Sequence, residues 1–349
     1  MKKIPVVILS VFLLLIFFVS CSNDGSVDEA FNCTITFNGN GATAGEMTVQ
    51  TVGLGKEARL NANSFEKTDF DFVGWNTESD GSGKPYEDGQ KIKVAGNITL
   101  YAQWEIVPII LDDNSVHWTD GNVYILNSNV SITPKIGVSG SVTLILNDGY
   151  TFTALNGIRV DEGNSLTIEA RGVGTGKLEA TGTLGSAAIG GYLDCNSGTI
   201  IINGGTVTAS ISGSSGAGIG GGHNGNGGTI IINGGMVNAT GDCGGAGIGG
   251  GFNGNGGTIT INGGPVNATG TLGGAGIDGG VNGNGGTITI NDGTVNASST
   301  DGAGIGRGAG GTADGTLTLG EGVSLEVSWD NSFWSDYDGS TLWRYMRTK

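Results

Sequence analysis

The sequence predicts an all-β chain in which a small N-terminal module precedes a parallel β-helix. Apolar residues alternate with Thr and Asn over many short segments, which is the period of strands, and no long segment has helical periodicity. Glycine accounts for 70 of the 349 residues without the G-x-y period of collagen, while 37% of residues are hydrophobic. The C-terminal half also repeats itself about every 29 residues.

The N-terminus has the pattern of a secretion signal. Two lysines precede an almost unbroken apolar run, which is short for a membrane-spanning helix of about 20 residues. The cysteine at the end of this run resembles that of a bacterial lipobox, although Phe18 stands where the motif usually has leucine. We therefore predict a lipoprotein signal peptide at 1–20, lipidation of Cys21, and a solvated tether at 21–32. A plain signal peptide or an uncleaved anchor is the alternative.

Residues 33–105 form a separate module. Two alternating segments, CTITFNGNG and NITLYAQW, bracket the aromatic segment FVGWNT and a turn-rich hairpin. These motifs, in this order over about seventy residues, resemble the Listeria–Bacteroides repeat, the B-repeat module of internalin-type surface proteins. The resemblance implies a small β-grasp-like domain that serves as a spacer or adhesive module. We expect Trp75 and Trp104 to form its core, because so small a domain has little else to bury.

The β-helix prediction rests on the repeats at 186–326. Each repeat holds three short alternating pieces, such as AGI, TITIN and PVNAT, and period two places Ile259 and Ile261 on one face. One coil cannot bury that face alone, but stacked coils form continuous columns of Ile, Val and Ala. Three strands per coil with glycine-rich turns predict a parallel β-helix, right-handed by the general rule for parallel crossovers. Residues 106–185 are predicted to be its earlier, less regular coils.

The stretch GAGIGG at 216–221 matches the G-x-G-x-x-G pattern of dinucleotide-binding loops. Such a loop must follow a strand and open a helix, whereas the next residues, HNGNGGTIIIN, predict a turn and a strand. The glycines also recur in every coil, so we interpret them as corners with positive φ and close stacking. We expect the aligned asparagines to form ladders. No nucleotide or other cofactor is predicted, and calcium is left open.

Residues 327–349 break the repeat with a group of aromatic side chains. An open last coil invites association through its edge, so a cap is the first interpretation. The alternative is a cluster that stacks on sugar rings near acidic residues. The candidate ligand-stacking residues are Trp329, Trp334, Tyr337 and Trp343.

Catalysis is not predicted, and no catalytic residue or metal ligand is assigned. Sugar hydrolysis needs paired carboxylates about 5–9.5 Å apart. The acids of the regular repeats lie in turns at different phases, and in the earlier coils Asp161 and Glu162 point to opposite faces if extended.

The predicted partner is a polysaccharide or a host or cell-surface glycan. The chain carries 16 basic and 32 acidic residues, a net charge of −16, which disfavours nucleic acid. Uncharged Thr and Asn faces suit an extended glycan, and the entry to the repeats resembles clostridial-type carbohydrate-binding β-helix proteins. We predict a lipoprotein of the bacterial cell envelope, surface-exposed or periplasm-facing, that acts as an adhesin or polysaccharide-binding protein without turnover. The alternatives are a β-helix polysaccharide lyase or glycoside hydrolase, and a passive surface stalk or coat.

Overall fold

A computed structural model describes residues 31–339 and 343–349 of the chain. These residues form strands and turns without a helix, so the predicted all-β class is confirmed. The chain divides into two compact units, with the boundary between Glu105 and Ile106.

The first unit contains a mixed five-stranded sheet and a two-stranded ladder. Its strands are β1 Asn32–Asn38, β2 Gln50–Gly53, β3 Glu57–Arg59, β4 Phe70–Asn76, β5 Pro85–Tyr86, β6 Lys91–Lys93 and β7 Ile98–Ile106. The sheet order is β2-β1-β7-β4-β5, in which β1 is parallel to β7 and antiparallel to β2, and β3 pairs with β6. The two parallel central strands are the two alternating segments that bracket the module in the sequence.

The core of the first unit is aromatic. Trp75 is almost fully buried, and its ring centroid lies 4.9 Å from that of Phe37 and 5.0 Å from that of Phe72. Trp104 packs against Phe72 at 5.7 Å and donates a hydrogen bond from Nε1 to the carbonyl of Gly39 at 2.9 Å. Both tryptophans therefore belong to the core, as expected for a domain of this size.

The second unit repeats a coil of three short strands. In chain order its strands are β8 Ile109–Ile110, β9 His117–Trp118, β10 Val123–Leu126, β11 Val130–Ile132, β12 Ile136–Val138, β13 Ser141–Asn147, β14 Thr151–Ala154, β15 Ile158–Arg159, β16 Ser165–Arg171, β17 Lys177–Gly182, β18 Ile189–Gly190, β19 Thr199–Ile202, β20 Thr206–Ile211, β21 Ile219–Gly220, β22 Thr229–Ile232, β23 Met236–Thr240, β24 Ile248–Gly249, β25 Thr258–Ile261, β26 Pro265–Gly270, β27 Ile277–Asp278, β28 Thr287–Ile290, β29 Thr294–Ser299, β30 Ile305–Gly306, β31 Thr316–Leu319, β32 Leu325–Ser328, β33 Ser335–Asp336 and β34 Tyr345–Thr348.

Successive coils add one strand to each of three sheets, which confirms the parallel β-helix. Sheet A contains β8, β10 and every third strand from there to β31, and sheet C contains β9, β12 and every third strand to β30. Sheet B runs from β11 in steps of three to β29. Within these series neighbouring strands pair in parallel, and equivalent residues of neighbouring repeats face each other. The spacing between coils is therefore that of neighbouring strands, about 4.8 Å.

The interior of the β-helix consists of stacked aliphatic columns. Ile230, Ile259 and Ile288 form one column, and each is buried, whereas the threonines that alternate with them face outward. Burial of one such side chain contributes about 1.5–3 kcal/mol, and the column repeats this gain in every coil. In the earlier coils Trp118 and Phe152 fill the same interior, with ring centroids 6.0 Å apart.

The C-terminal segment covers the last strand of sheet B. Strand β34 pairs antiparallel with β29, β32 pairs with β34, and β33 pairs with β32. Leu325, Val327 and Met346 of these strands are buried in the core of the β-helix. Strand β34 therefore covers the edge of β29 and runs antiparallel to the strands of the coils.

Candidate functional site

From β23 to β29 the outward face of sheet B carries two columns of uncharged polar side chains, whereas the earlier strand β17 places Lys177 and Glu179 on this face. Asn267 donates from Nδ2 to Oδ1 of Asn238 at 2.9 Å, and Asn296 donates to Asn267 at 3.1 Å. In the next column the hydroxyls of Thr269 and Ser298 lie 3.2 Å apart. Each side chain is held by its copy in the neighbouring coil, so the remaining donors and acceptors are presented in fixed positions.

These columns lead into a groove at the C-terminal end of sheet B. The groove has a volume of about 290 Å³ and is lined by members of both polar columns, by Trp334 and by Arg347. Strand β34 places Arg347 directly opposite Asn296, so the cap extends the asparagine column by one position. The guanidinium of Arg347 lies 3.9 Å from the centroid of the half-buried Trp334 ring and donates to Glu326 at 2.8 Å. The ring is therefore fixed beside the polar columns.

The four aromatic residues predicted as stacking candidates fall in three places. Trp334 lines the groove on sheet B. Trp329 is 53% exposed and contacts Trp343, with ring centroids 5.4 Å apart, beside a second cavity of about 200 Å³. Tyr337 packs against the β-helix core, as does Trp343, and burial raises the pKa of Tyr337. The structure thus does not bring the four together, and only Trp334 adjoins the polar columns of sheet B.

The predicted asparagine ladders are present at two further positions. At the end of sheet A, Asn262 donates to Asn233 at 2.7 Å, and Asn291 donates to Asn262 at 2.7 Å. In the turns after sheet C, Asn253 donates to Asn224 at 3.0 Å, and the pattern continues in the next coil. These ladders satisfy the polar side chains at the corners of the coils and hold the coils in register.

The glycines of the G-x-G-x-x-G stretch serve the stacking of coils. Gly220 has a φ of +135°, and a Cβ atom added there would lie 2.0 Å from the carbonyl oxygen of Gly249 in the next coil. A turn and strand β22 follow, as the sequence predicted, where a dinucleotide-binding loop would open a helix. The glycine pattern therefore follows from backbone contact between coils.

Asp278 occupies a position that is glycine in the two preceding coils. It pairs with Gly249 in the column, has a φ of +117° and is fully buried. One carboxyl oxygen accepts a hydrogen bond from the backbone of Gly286 at 2.6 Å, and the other has no hydrogen-bond partner in the described structure. Burial raises the pKa of Asp278 to about 8, so this carboxyl group is largely protonated at neutral pH. The sequence does contain a sign of this site, because the AGIGG motif of the two preceding repeats is replaced by AGIDG at 275–279.

The three acidic residues Asp161, Glu162 and Glu169 of the earlier coils each have a hydrogen-bond partner in the following coil. Arg159 forms an ion pair with Asp161, whose other carboxylate oxygen accepts from the backbone of Tyr192 at 2.9 Å. Glu162 accepts from the amide of Asn196 at 3.0 Å. Within residues 31–339 and 343–349, no three His, Cys, Asp or Glu side chains are grouped so that they could hold a metal ion.

The predicted signal peptide at 1–20, the lipidation site Cys21 and most of the tether at 21–32 lie outside the described residues. In the part of the chain that the structure describes, no helix has the length and hydropathy needed to cross a membrane.

Comparison with known proteins identifies both repeat families. Residues 34–103 match the family model of the Listeria-Bacteroides repeat domain. The model of the β-helix repeat matches residues 200–223, 230–252, 259–281 and 288–306. The first match confirms the resemblance of residues 33–105 to the Listeria–Bacteroides repeat, and the second confirms the predicted β-helix repeats.

A relative from Evansella cellulosilytica, named "Putative Gly-rich membrane protein", is 34% identical over 111 residues. The similar segment covers 29% of this chain and 12% of the relative, so the chain spans only a small part of that protein's length. No solved structure matches the chain.

Proposed function

We propose that the chain is a bacterial cell-surface lipoprotein that binds an extended polysaccharide without turnover. The binding surface of this proposal is the outward face of sheet B together with the groove beside Trp334. One observation carries it: uncharged amide and hydroxyl columns run along the coils and end at an immobilised indole ring.

The chemistry of this surface suits a sugar polymer. Pyranose rings present hydroxyl groups at their edges and C–H groups on their faces, and the edges require paired donors and acceptors such as Asn amides. The faces pack well on aromatic rings, and Trp334 provides one that Arg347 already holds in place. Because the columns repeat every coil at about 4.8 Å, the surface offers the same contacts several times to a ligand that is itself repetitive.

The surface location is supported by three independent features. The N-terminus has the lipoprotein pattern around Cys21, and residues 34–103 belong to a repeat found in internalin-type surface proteins. The Evansella relative carries the name of a membrane protein. Binding without turnover is supported by the partners of the acids, because Asp161, Glu162 and Glu169 all accept hydrogen bonds from neighbouring coils.

The test is a glycan array probed with the purified full chain, with and without calcium, followed by affinity measurements on the best ligand. Trp334→Ala is expected to lower the affinity at least tenfold, since stacking and burial of the indole face are lost. Phe333→Ala is the matched control, because Phe333 is the neighbouring aromatic residue, is 85% exposed and lies outside the groove.

Three results would contradict the proposal, each in a different way. A chain that binds no glycan under either condition would favour the passive stalk. Shortening of a polysaccharide by the protein would favour the lyase or hydrolase. Equal loss of affinity in Trp334→Ala and Phe333→Ala would show that the ligand does not bind in the groove.

A further inference from the structure

Two cationic side chains and a tyrosine from three successive coils meet on the outward side of sheet C. Lys135 immediately precedes β12, Arg159 ends β15, and Tyr192 lies two residues after β18. Strands β12, β15 and β18 are neighbours in the sheet, so the stacking of coils brings these residues together. The centroid of the Tyr192 ring lies 5.8 Å from Nζ of Lys135 and 5.2 Å from Cζ of Arg159.

The positive charge of Lys135 has no counter-charge of its own. Its Nζ is buried and makes no hydrogen bond within the described residues. The neighbouring carboxylate, Asp161, is already engaged by the side chain of Arg159 and the backbone of Tyr192. Burial and the nearby Arg159 charge lower the pKa of Lys135 to about 8, and the attraction of Asp161 offsets this only in part.

This arrangement is unfavourable for folding alone. Two cations repel each other, and an ammonium removed from water needs acceptors that this site does not supply. The chain is acidic overall, with twice as many acidic as basic residues, so the convergence of two cations is not a result of composition. Destabilising charge arrangements of this kind are typical of sites that receive a ligand.

We propose that Lys135, Arg159 and Tyr192 form a subsite for an anionic group, a carboxylate or a sulfate ester, of an acidic polysaccharide. The polymeric ligand rests on the proposed function, and the subsite refines it by naming the charge of the ligand. The Arg159 side chain is 47% exposed; its Nε and Nη2 contact Asp161, and the N–H groups that face away from Asp161 can donate to the anion. The flexible stem of Lys135 allows its ammonium to turn outward to the same group.

The subsite takes one anion, and the net charge of −16 opposes the binding of further anions around it. A polysaccharide with one carboxylate or sulfate per unit can place a single anion in the subsite and its uncharged hydroxyls elsewhere. The bound anion supplies the acceptor that Lys135 lacks, so it raises the pKa of Lys135 towards the ordinary value of a lysine.

The first test compares Lys135→Met with Lys91→Met in the full chain. Methionine keeps the apolar stem and removes the charge, and Lys91 is an exposed lysine of the first unit, so both variants change the net charge equally. We expect Lys135→Met to weaken binding of polygalacturonate or dextran sulfate about tenfold, as for loss of one charged hydrogen bond. Lys91→Met is expected to change either affinity less than twofold. Polygalacturonate carries carboxylates and dextran sulfate carries sulfate esters, so comparison of the two affinities shows which anion the subsite prefers.

Neutral dextran and Trp334→Ala separate this subsite from the proposed function. If Trp334→Ala weakens all glycans while Lys135→Met behaves like the wild type, the subsite is wrong and the proposed function stands. If Lys135→Met affects only acidic polymers, the subsite is supported whatever happens at Trp334.

A second measurement does not depend on a polymer or on a variant. The pKa of Lys135 is followed by NMR of the lysine side chains while sodium galacturonate or inorganic sulfate is added. A saturable rise of the Lys135 pKa supports the subsite, and an unchanged pKa at saturating anion overturns it.

Discussion

Replacement of Asp278 by asparagine tests the buried carboxyl group most directly. The amide has nearly the same shape and keeps an oxygen that can accept the hydrogen bond from the backbone of Gly286. It cannot ionise, so any pH dependence that comes from Asp278 disappears. Asp292→Asn is the matched control, because Asp292 is an exposed aspartate in the turn after β28.

Whether stability rises or falls with pH follows from the direction of the pKa shift of Asp278. The ordinary value is 3.8, and in the folded chain the pKa is raised to about 8. Between these values the folded state retains a proton that the unfolded state has released, so stability falls as the pH rises from about 4 to about 8. Each pH unit between the two pKa values changes the contribution of Asp278 by about 1.4 kcal/mol. The free energy of unfolding therefore decreases by roughly 5 kcal/mol across this range.

The assay is urea denaturation of both variants and the wild type at pH 5, 7 and 8.5. Repeat arrays open coil by coil, so amide exchange at Gly286 is measured alongside as a local readout. We expect the wild type to lose stability with pH, Asp278→Asn to lose little, and the two to differ most at pH 8.5. If wild type and Asp278→Asn have parallel pH profiles while Asp292→Asn matches both, Asp278 does not hold a proton at neutral pH.

Three further substitutions, the first with a matched control, test the stacking of the coils. Gly249→Ala places a Cβ atom 2.0 Å from the carbonyl of Asp278 at a φ of +135°, and should destabilise the chain by about 3 kcal/mol or more. Gly213→Ala, at a φ of +64° with open space around it, should lower stability by only about 1 kcal/mol in the same melting experiment, and equal effects would contradict the clash. Ile259→Ala removes a fully buried side chain and should cost about 2–5 kcal/mol in urea titration, whereas a change under 1 kcal/mol would mean that the column is loosely packed. Asn262→Ala interrupts a ladder at its centre and should cost about 1–3 kcal/mol by thermal unfolding, with no change expected if water replaces both bonds.

The repeated part of the fold could be predicted because each residue there has one role in every coil. Period two fixes which side of a strand is buried, so Ile259 and Ile261 were placed inside from the sequence alone. The ladders followed in the same way, because aligned asparagines at the ends of strands must meet in adjacent coils.

The cap and the charged sites could not be predicted in this way. Strand β34 pairs with β29 across about fifty residues of sequence, and no period relates the two segments. The meeting of Lys135 with Tyr192 depends on the register of the irregular coils, where loop lengths vary and the sequence gives no alignment. The burial of Asp278 depends on the adjacent coils, whose glycine backbone encloses the carboxyl group.

The regular and irregular features of the β-helix have different consequences for function. Asn238, Asn267 and Asn296 recur in three successive coils, so under the proposed function these coils offer the same contacts and favour a repetitive polymer without choosing among polymers. Discrimination needs residues that occur once, such as Trp334 at one end and the Lys135–Arg159 pair towards the other. Lys135 also carries a free-energy penalty, because its buried Nζ has no hydrogen-bond partner within the described residues. We therefore expect specificity to come from residues that occur once, and avidity to come from the side chains that recur in successive coils.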